Sequence, residues 1–385
     1  MPDESRAVAS EQGELDADAV AALVNGSQEL AAAGRLDEAV ADLRRAVPAA
    51  RRLFDRDPVR YRVVLVVALL NLEGRLAASG RAEETVPLLK EIVARTADYR
   101  PEEAAAGTPE SLLGYRLGAL RRLARRLRAD GDLDGAIAAA TAARDESPRP
   151  AEPPTADDIA RAERLVSAEL LLARLLEEAG RGEESIAVGE SAVADARVMK
   201  RPDGREAVSL GDAALDVGLR LLARDRLEDA ARHLRQAVEV YRSHADDPGH
   251  PDIAANLPLA ANRLGVALSM LHRDAEAVPY FEEAVRRSRR RDAADPEVRD
   301  ELASYLRDLA VCLIQLDRDT DAVAALAEAA DLYRPPAEGG SAFHRERLGE
   351  VLGRLWRGLA VLGREEESAK VRAEWSALTE VSPSP

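Results

Sequence analysis

An eighteen-residue pattern, LAAAGRLDEAVADLRRAV from Leu30, recurs through the whole sequence. It returns as LAASGRAEETVPLLKEIV from Leu76, LRADGDLDGAIAAATAAR from Leu127 and LEEAGRGEESIAVGESAV from Leu176. Alignment on the glycine of the first copy places a turn residue at eight positions: Gly34, Gly80, Gly131, Gly180, Asp225, His272, Asp317 and Gly363. These positions follow one another at intervals of 45 to 51 residues. Such a period indicates an array of repeats.

Several positions around the turn residue keep the same chemistry. A leucine stands four residues before it in all eight copies, and a small residue stands five residues after it. Arginine follows the turn residue directly in seven copies, and the fourth residue after the turn is acidic in seven. A cation at the end of one helix and anions in the first turn of the next would complement the two helix dipoles. Glycine, aspartate or histidine between them predicts a left-handed residue that ends the first helix.

The apolar residues on either side of the turn have helical spacing. Ala39, Val40, Leu43, Ala46 and Val47 fall at i, i+1, i+4, i+7 and i+8. Aromatic residues make up only 3% of the chain, and a core of leucine, valine and alanine suits packed helices. One helix pair cannot bury its own apolar face, so the pairs must stack. We therefore expect an all-α solenoid of about eight helix–turn–helix repeats.

The pattern resembles the tetratricopeptide repeat family, in its long-period kinesin-light-chain-like and actinobacterial types. The copy most similar to that family is HPDIAANLPLAANRLGVALSMLHRDAEAVPYFEEAV, residues 250–285, with Leu264 and Gly265 inside its first helix. A second is RDPVRYRVVLVVALLNLEGRL from Arg56. The resemblance covers about residues 15 to 376. It implies a right-handed α-α superhelix whose first helices line a concave groove, and a non-catalytic scaffold for protein partners.

Composition shifts suggest the division of the chain. We expect repeats 1 to 3 in residues 15–145 and repeats 4 to 8 in residues 159–376, with a proline-rich segment at 146–158 between them. That segment is interpreted as a long inter-repeat loop, with a hinge as the alternative. Residues 1–14 and 377–385 are expected to be disordered.

Charge and apolar content exclude several function classes. The net charge of −16 disfavours a general binder of nucleic acid or of anionic lipid. The longest apolar run, Val63 to Leu70, is far shorter than the roughly 20 residues that span a bilayer. The acidic, polar beginning of the sequence lacks the pattern of a secretory signal, and Cys312 is the only cysteine. These features favour a cytoplasmic location, and the resemblance to actinobacterial repeats implies a bacterial protein.

Motifs for catalysis or cofactor binding are missing from the sequence. Lys90, Lys200 and Lys370 are the only lysines and none follows a glycine, so no phosphate-binding Gly-Lys loop exists. No GxSxG or HExxH motif occurs either. Cys312 lies in an apolar helical stretch and is interpreted as a core residue. We expect no catalytic residue, no metal and no cofactor.

One polar stretch gathers possible metal ligands. SHADDPGHPD, residues 243–252, brings five of them together: His244, Asp246, Asp247, His250 and Asp252. The favoured interpretation is structural, as an inter-repeat linker in which Asp252 is the N-cap of the next helix.

Arginine-rich stretches are candidates for partner binding. RRSRRR, residues 286–291, is interpreted as a solvated helix end whose counter-charges come from the DAADPE that follows. By the groove analogy, Arg121, Arg125 and Arg128 face inward from the third first helix. The corresponding positions in other copies add Arg174, Asn262, Arg307 and Arg357. Together they form a candidate row whose guanidinium and amide groups donate hydrogen bonds to carboxylates of a partner. The alternative is that these long side chains only cover apolar helix surface.

Three functions remain open at this point. The first is a non-enzymatic scaffold whose groove binds a peptide or protein segment, acidic or ending in a free carboxylate. The alternative is a regulatory sensor whose groove binds a small peptide or metabolite and modulates a partner protein. A helical enzyme is a remote third possibility. Nucleic acid is an unsuitable partner, because few aromatic side chains are present to stack on bases.

Overall fold

The structure, a computed structural model, describes residues 15–98, 109–149, 156–199, 207–247, 249–292 and 294–380. Within these ranges the regular structure is helical and contains no strand. The α-helices follow in chain order: α1 Ala17–Ala32, α2 Leu36–Arg56, α3 Pro58–Ala78, α4 Thr85–Arg95, α5 Pro109–Ala129, α6 Leu133–Asp145, α7 Ala156–Glu178, α8 Gly182–Arg197, α9 Val208–Leu222, α10 Leu227–Ser243, α11 Ile253–Met270, α12 Asp274–Ser288, α13 Pro296–Gln315, α14 Asp319–Glu338, α15 Ala342–Val361 and α16 Glu365–Glu380.

The helices form eight consecutive pairs in the described part of the chain, one pair for each copy of the pattern. The odd-numbered helices are called first helices below, and the even-numbered ones second helices. The predicted all-α fold of helix–turn–helix repeats is thereby confirmed. The chain divides into two compact units: Met1–Arg149 with Ser167–Ser185, and Pro150–Val166 with Ile186–Pro385. No helix in the described ranges is long and apolar enough to cross a bilayer.

The turn residue ends the first helix of every pair in the left-handed conformation. All eight have positive φ, including the non-glycine residues Asp225 (57°), His272 (60°) and Asp317 (55°). In every copy the N–H after the turn donates to the carbonyl of the leucine four residues before it, as from Arg35 to Leu30 at 2.8 Å. This bond satisfies a carbonyl that the helix end would otherwise leave open. The predicted left-handed helix end is confirmed.

The arginine after the turn has a partner that the dipole interpretation did not include. Arg35 donates through Nε and Nη2 to the two carboxylate oxygens of Glu38, each at 2.6 Å. The same pair recurs in the other copies that have both residues: Arg81–Glu84, Arg181–Glu184, Arg226–Asp229, Arg273–Glu276, Arg318–Asp321 and Arg364–Glu367. In the third copy Asp132 accepts from the Gly135 N–H at 2.9 Å instead. Each second helix therefore begins with a local side-chain bond, of an arginine to an acid or of an aspartate to the backbone.

The small-residue position lies at the contact between the two helices of a pair. All eight members, from Ala39 to Ser368, are buried, and the leucine position is buried in every copy except the first. Glycine on a first helix also allows close approach of the paired helix. A Cβ on Gly265 would lie 2.8 Å from Cε1 of Phe281 on the paired helix. Small side chains at these positions let the backbones approach closely.

A second column of arginine side-chain bonds joins successive second helices. An arginine seventeen residues after one turn bonds an acid or glutamine eleven residues after the next turn. Five junctions have this bond: Arg51–Glu91, Arg197–Gln236, Arg242–Glu283, Arg289–Glu328 and Arg334–Glu374. In the other two, these positions hold Ala97 with Ala142 and Pro148 with Ser191. The column therefore connects neighbouring repeats, and repeat 3 takes no part in it.

Two predicted boundaries differ from the helices observed. Helix α7 begins at Ala156, inside the segment 146–158 expected to be a loop. Helix α16 continues to Glu380, into the segment 377–385 expected to be disordered. The sequence of a polar or proline-rich stretch shows only where helix propensity falls. Packing against the neighbouring helix extends α16 beyond the boundary predicted in this way. Residues 1–14 lie outside the described ranges.

Candidate functional site

Arg125 on α5 and Arg174 on α7 occupy the same position in consecutive repeats, six residues before the turn. Both side chains are exposed. Among the described residues, none forms a hydrogen bond or ion pair with either guanidinium. Both belong to the unit formed by Met1–Arg149 and Ser167–Ser185. Two cations on neighbouring first helices therefore remain available to a ligand.

The other two arginines predicted on α5 are already engaged. Arg128 donates through Nε to Oε2 of Glu178 on α7 at 2.7 Å, with both side chains partly exposed. Arg121 is partly buried and has interactions of its own. The bond from Arg128 connects the same two first helices that present Arg125 and Arg174, so it fixes the surface between them.

Asn262 departs from its expected place in a binding groove. Its side chain is fully buried, and Nδ2 donates to Oδ2 of Asp308 on α13 at 3.2 Å. Arg307 donates to the other oxygen of Asp308 at 2.9 Å, and its Nη1 lies 3.8 Å from Glu350 on α15. These polar groups hold three first helices together. A buried position ten residues before the turn residue cannot be told from an exposed one by spacing alone.

Arg357 remains exposed and stacks on an aromatic ring. Its guanidinium carbon lies 5.2 Å from the centroid of Trp356, and that of Arg372 lies 5.4 Å from the same ring. Trp375 packs against Trp356 with their centroids 6.4 Å apart. Cation–π contact of this kind holds an arginine against the helix surface, which is the alternative role considered for the row.

A small pocket that sequence reasoning missed lies in the other unit. Its volume is about 200 Å³ and its lining is Ile159, Glu163, Met199, Ala207, Val208, Ser209, Asp212 and His250. Asp212 accepts a hydrogen bond from the Tyr241 hydroxyl at 2.7 Å, and burial raises the pKa of its carboxyl group. Ser209 Oγ is buried and bonds no described residue. No spacing rule signals this pocket, because its residues come from two helices and two inter-helix segments.

Cys312 is buried, as predicted for a core residue. Its Sγ donates to the carbonyl of Asp274 at 3.3 Å, and burial raises the pKa of the thiol to about 12. The nucleophilic thiolate is therefore scarce at neutral pH.

Two arginines of the run 286–291, which extends past the end of α12 at Ser288, pair with acids on other helices. Arg289 donates through Nε to Glu328 on α14 at 3.1 Å, and Arg291 pairs with Glu301 on α13. The expected counter-charges in the following DAADPE are not the partners of these two arginines. Asp292 instead accepts from the Ala294 N–H at 2.9 Å, as a turn residue does.

A tetratricopeptide repeat model matches residues 20–59, 210–252 and 259–291. These three segments carry tetratricopeptide repeats. The resemblance stated from the sequence is thereby confirmed. No curated protein matches the sequence.

Three solved structures with similar helix arrangements have low sequence identity to the chain. The apo form of RapI is 11% identical, covers 83% of this chain and 78% of its own, and has a TM-score of 0.51. The apo quorum sensor NprR from B. thuringiensis is 14% identical over 95% of this chain and 89% of its own, with a TM-score of 0.48. Repeats of a putative kinesin light chain from Podosopora anserina are 18% identical over 58% and 97%, with a TM-score of 0.42. At 11% identity the match to RapI shows the fold alone.

Proposed function

We propose that this tetratricopeptide repeat protein is a non-enzymatic interaction scaffold of the bacterial cytoplasm. Its ligand is a peptide or protein segment that is acidic or ends in a free carboxylate. The binding surface is the face of α5 and α7 that carries Arg125 and Arg174. The supporting observation is that both arginines are exposed and bond no described residue, although most turn and junction arginines are paired.

The chemistry of arginine favours carboxylate ligands. A guanidinium presents a planar fork of N–H donors that matches a carboxylate in a bidentate geometry. Two forks on neighbouring first helices bind a segment with two acidic groups more tightly than one fork does, because the second contact is intramolecular. The Arg128–Glu178 bond limits the motion of α5 against α7, so less entropy is lost on binding.

The charge of the whole chain sharpens selectivity. Because its net charge is −16, the protein repels acidic molecules in general. Only an acidic ligand that contacts Arg125 and Arg174 gains a favourable interaction. Nucleic acid remains an unsuitable partner, because aromatic residues are 3% of the chain.

Peptide binding measured on matched charge variants tests this proposal. An array presents each acidic peptide with a free C-terminus, as its amide, and with the acids replaced by amides. We expect Arg125→Glu with Arg174→Glu to abolish binding of the selected peptides. Arg52→Glu on α2 with Arg290→Glu just after α12 changes the net charge equally at two exposed positions outside α5 and α7, and should retain binding. Equal binding by both double variants would exclude this face.

A sensor of small ligands is the second candidate, supported by the pocket near Asp212. A volume of about 200 Å³ suits a metabolite smaller than a drug-sized ligand. Glu163 and Asp212 would favour a ligand with an amine, because both carboxyl groups can accept hydrogen bonds from its N–H groups. A screen of small amines by thermal shift, repeated with Asp212→Asn, checks this candidate. A ligand that raises the melting temperature of both proteins equally does not bind here.

A further inference from the structure

The segment between α10 and α11 brings two histidines and an aspartate together. His244 is the C-cap of α10 and only 1% exposed, while Asp247 and His250 follow in the connection. One potential ligand atom from each residue lies within 4.8 Å of the other two. His244 Nδ1 is 3.7 Å from Asp247 Oδ2, and the two imidazole rings meet edge to face at 5.7 Å.

Backbone turns explain why these three side chains meet. The Asp247 N–H donates to the carbonyl of His244 at 2.9 Å, and the His250 N–H donates to that of Asp247 at 3.2 Å. Two successive four-residue turns, each closed by a bond between residues i and i+3, therefore bring residues 244, 247 and 250 into one cluster. Asp247 Oδ1 also accepts from the Gly249 N–H at 3.0 Å, which orients the other oxygen, Oδ2, toward His244.

The structural interpretation favoured from the sequence loses part of its support. Asp252 occupies the N-cap position of α11, but its side chain makes no capping hydrogen bond. Asp246 is exposed and outside the cluster. The five possible ligands of the sequence thus separate into a cluster of three and two bystanders, a selection that an inter-repeat connection alone does not require.

Two imidazoles and one carboxylate are a donor set suited to divalent ions of the zinc class. At bond lengths of about 2.0–2.1 Å, tetrahedral ligand atoms are about 3.3 Å apart. The cluster approaches this spacing, and small side-chain rotations in the connection would complete it. Three protein ligands also leave a position for water or for a group of a second ligand.

We propose that His244, Asp247 and His250 form a binding site for one Zn²⁺ or a chemically similar transition-metal ion. His250 also lines the pocket that contains Asp212. An ion bound at the cluster fixes the orientation of that ring, because coordination holds the imidazole in one position. Metal occupancy therefore shapes one wall of the pocket. This proposal is independent of the arginine face on α5 and α7.

Titration of the tag-free, metal-stripped chain tests the site. Calorimetry with ZnCl₂ should show one ion per chain, and CoCl₂ should give the visible absorption of a low-symmetry four-coordinate ion. His250→Ala and Asp247→Asn should each weaken binding at least about tenfold. Both positions are only partly buried, so the variants should fold, which circular dichroism checks.

Two control variants separate the cluster from its surroundings. Asp246→Asn removes a neighbouring exposed carboxylate, and His272→Ala removes an exposed histidine elsewhere; both should keep wild-type affinity. No stoichiometric binding of either ion overturns the proposal. Binding that survives both cluster variants, or that His272→Ala removes, overturns it as well. The cobalt spectrum of the wild-type chain gives an answer even if a variant does not fold.

Discussion

Arg242 at the end of α10 donates through Nε to Oε2 of Glu283 on α12 at 2.9 Å, across the junction of two repeats. Glu283 is only 4% exposed, and Nε of Arg287 lies 3.8 Å from its other oxygen. A buried carboxylate costs free energy unless cations and donors compensate it. The arginine thus reaches from one repeat to stabilise an acid inside the next.

Arg242→Met should destabilise the protein more than Arg289→Met at the following junction. The first change leaves the buried Glu283 with only Arg287, so we expect a loss of about 1–2 kcal/mol. The second leaves Glu328, whose side chain is 38% exposed and solvated, and should cost less than about 1 kcal/mol. Urea unfolding followed by circular dichroism measures both. Adding Glu283→Gln to Arg242→Met should recover part of the loss; equal losses at both junctions would contradict this account.

Replacing a left-handed turn residue with glycine should stabilise its repeat. His272 has a φ of 60° and an exposed side chain. His272→Gly relieves the cost of this conformation but adds unfolded-state entropy, for a net gain of about 0.5 kcal/mol. Gly34→Ala is the reverse change and should lose about 1 kcal/mol. The two unfolding midpoints should move in opposite directions; a loss with His272→Gly would mean that the imidazole makes a stabilising contact.

Two glycine-to-alanine changes within first helices should have opposite signs. At Gly118 nothing lies within 4 Å of an added Cβ, so alanine should gain up to about 1 kcal/mol from helix propensity. At Gly265 the added Cβ would meet the Phe281 ring at 2.8 Å, and overpacking should cost about 1–3 kcal/mol. Thermal unfolding of both variants gives the comparison. Stabilisation by both would show that α11 and α12 separate without penalty.

Glu73 should make stability depend on pH. It is 5% exposed on α3, with Nη1 of Arg122 on α5 at 2.8 Å from its Oε2. Burial raises the pKa of its carboxyl group, and the nearby Arg122 only partly opposes this. The folded state therefore holds the proton more tightly than the unfolded state, and stability from this group is lost as pH rises through the folded pKa.

Denaturation at a series of pH values, with Glu73→Gln beside the wild type, checks the sign. The free energy of unfolding of Glu73→Gln should increase relative to that of the wild type as pH rises from about 4 to neutrality. Glu83→Gln, at an exposed position, is the matched control for removal of one carboxyl group. A difference that shifts toward the wild type would show that the bond to Arg122 outweighs burial.

The residues that recur in every repeat could be predicted from the sequence because each one acts within a single helix pair. The turn residue, the leucine before it and the small residue after it depend on one helix end and one helix contact, and all were placed correctly. The in-turn bond of Arg35 to Glu38 was missed, since the two charges were assigned separately to helix dipoles. Alignment to eleven and seventeen residues after the turn would also have revealed the Arg242–Glu283 column.

Individual side chains were harder to predict because exposure depends on neighbouring repeats. Asn262 and Arg121 share a position relative to the turn, yet one is fully buried and the other partly exposed. Asp308, on the first helix of the next repeat, decides the first case by accepting a hydrogen bond from Asn262. The sequence showed five possible metal ligands within residues 243–252, but only the turns of the folded chain show which three of them meet.

The bond from Arg242 to Glu283 joins two different positions of successive repeats. Donor and acceptor lie at separate positions of each repeat, so the contact is head-to-tail and has no closing symmetry. A duplicated repeat inserted in register would find an acceptor on one side and a donor on the other. Repeats 5 to 7, which carry both the acceptor and the donor, could therefore change in number without any change to this contact.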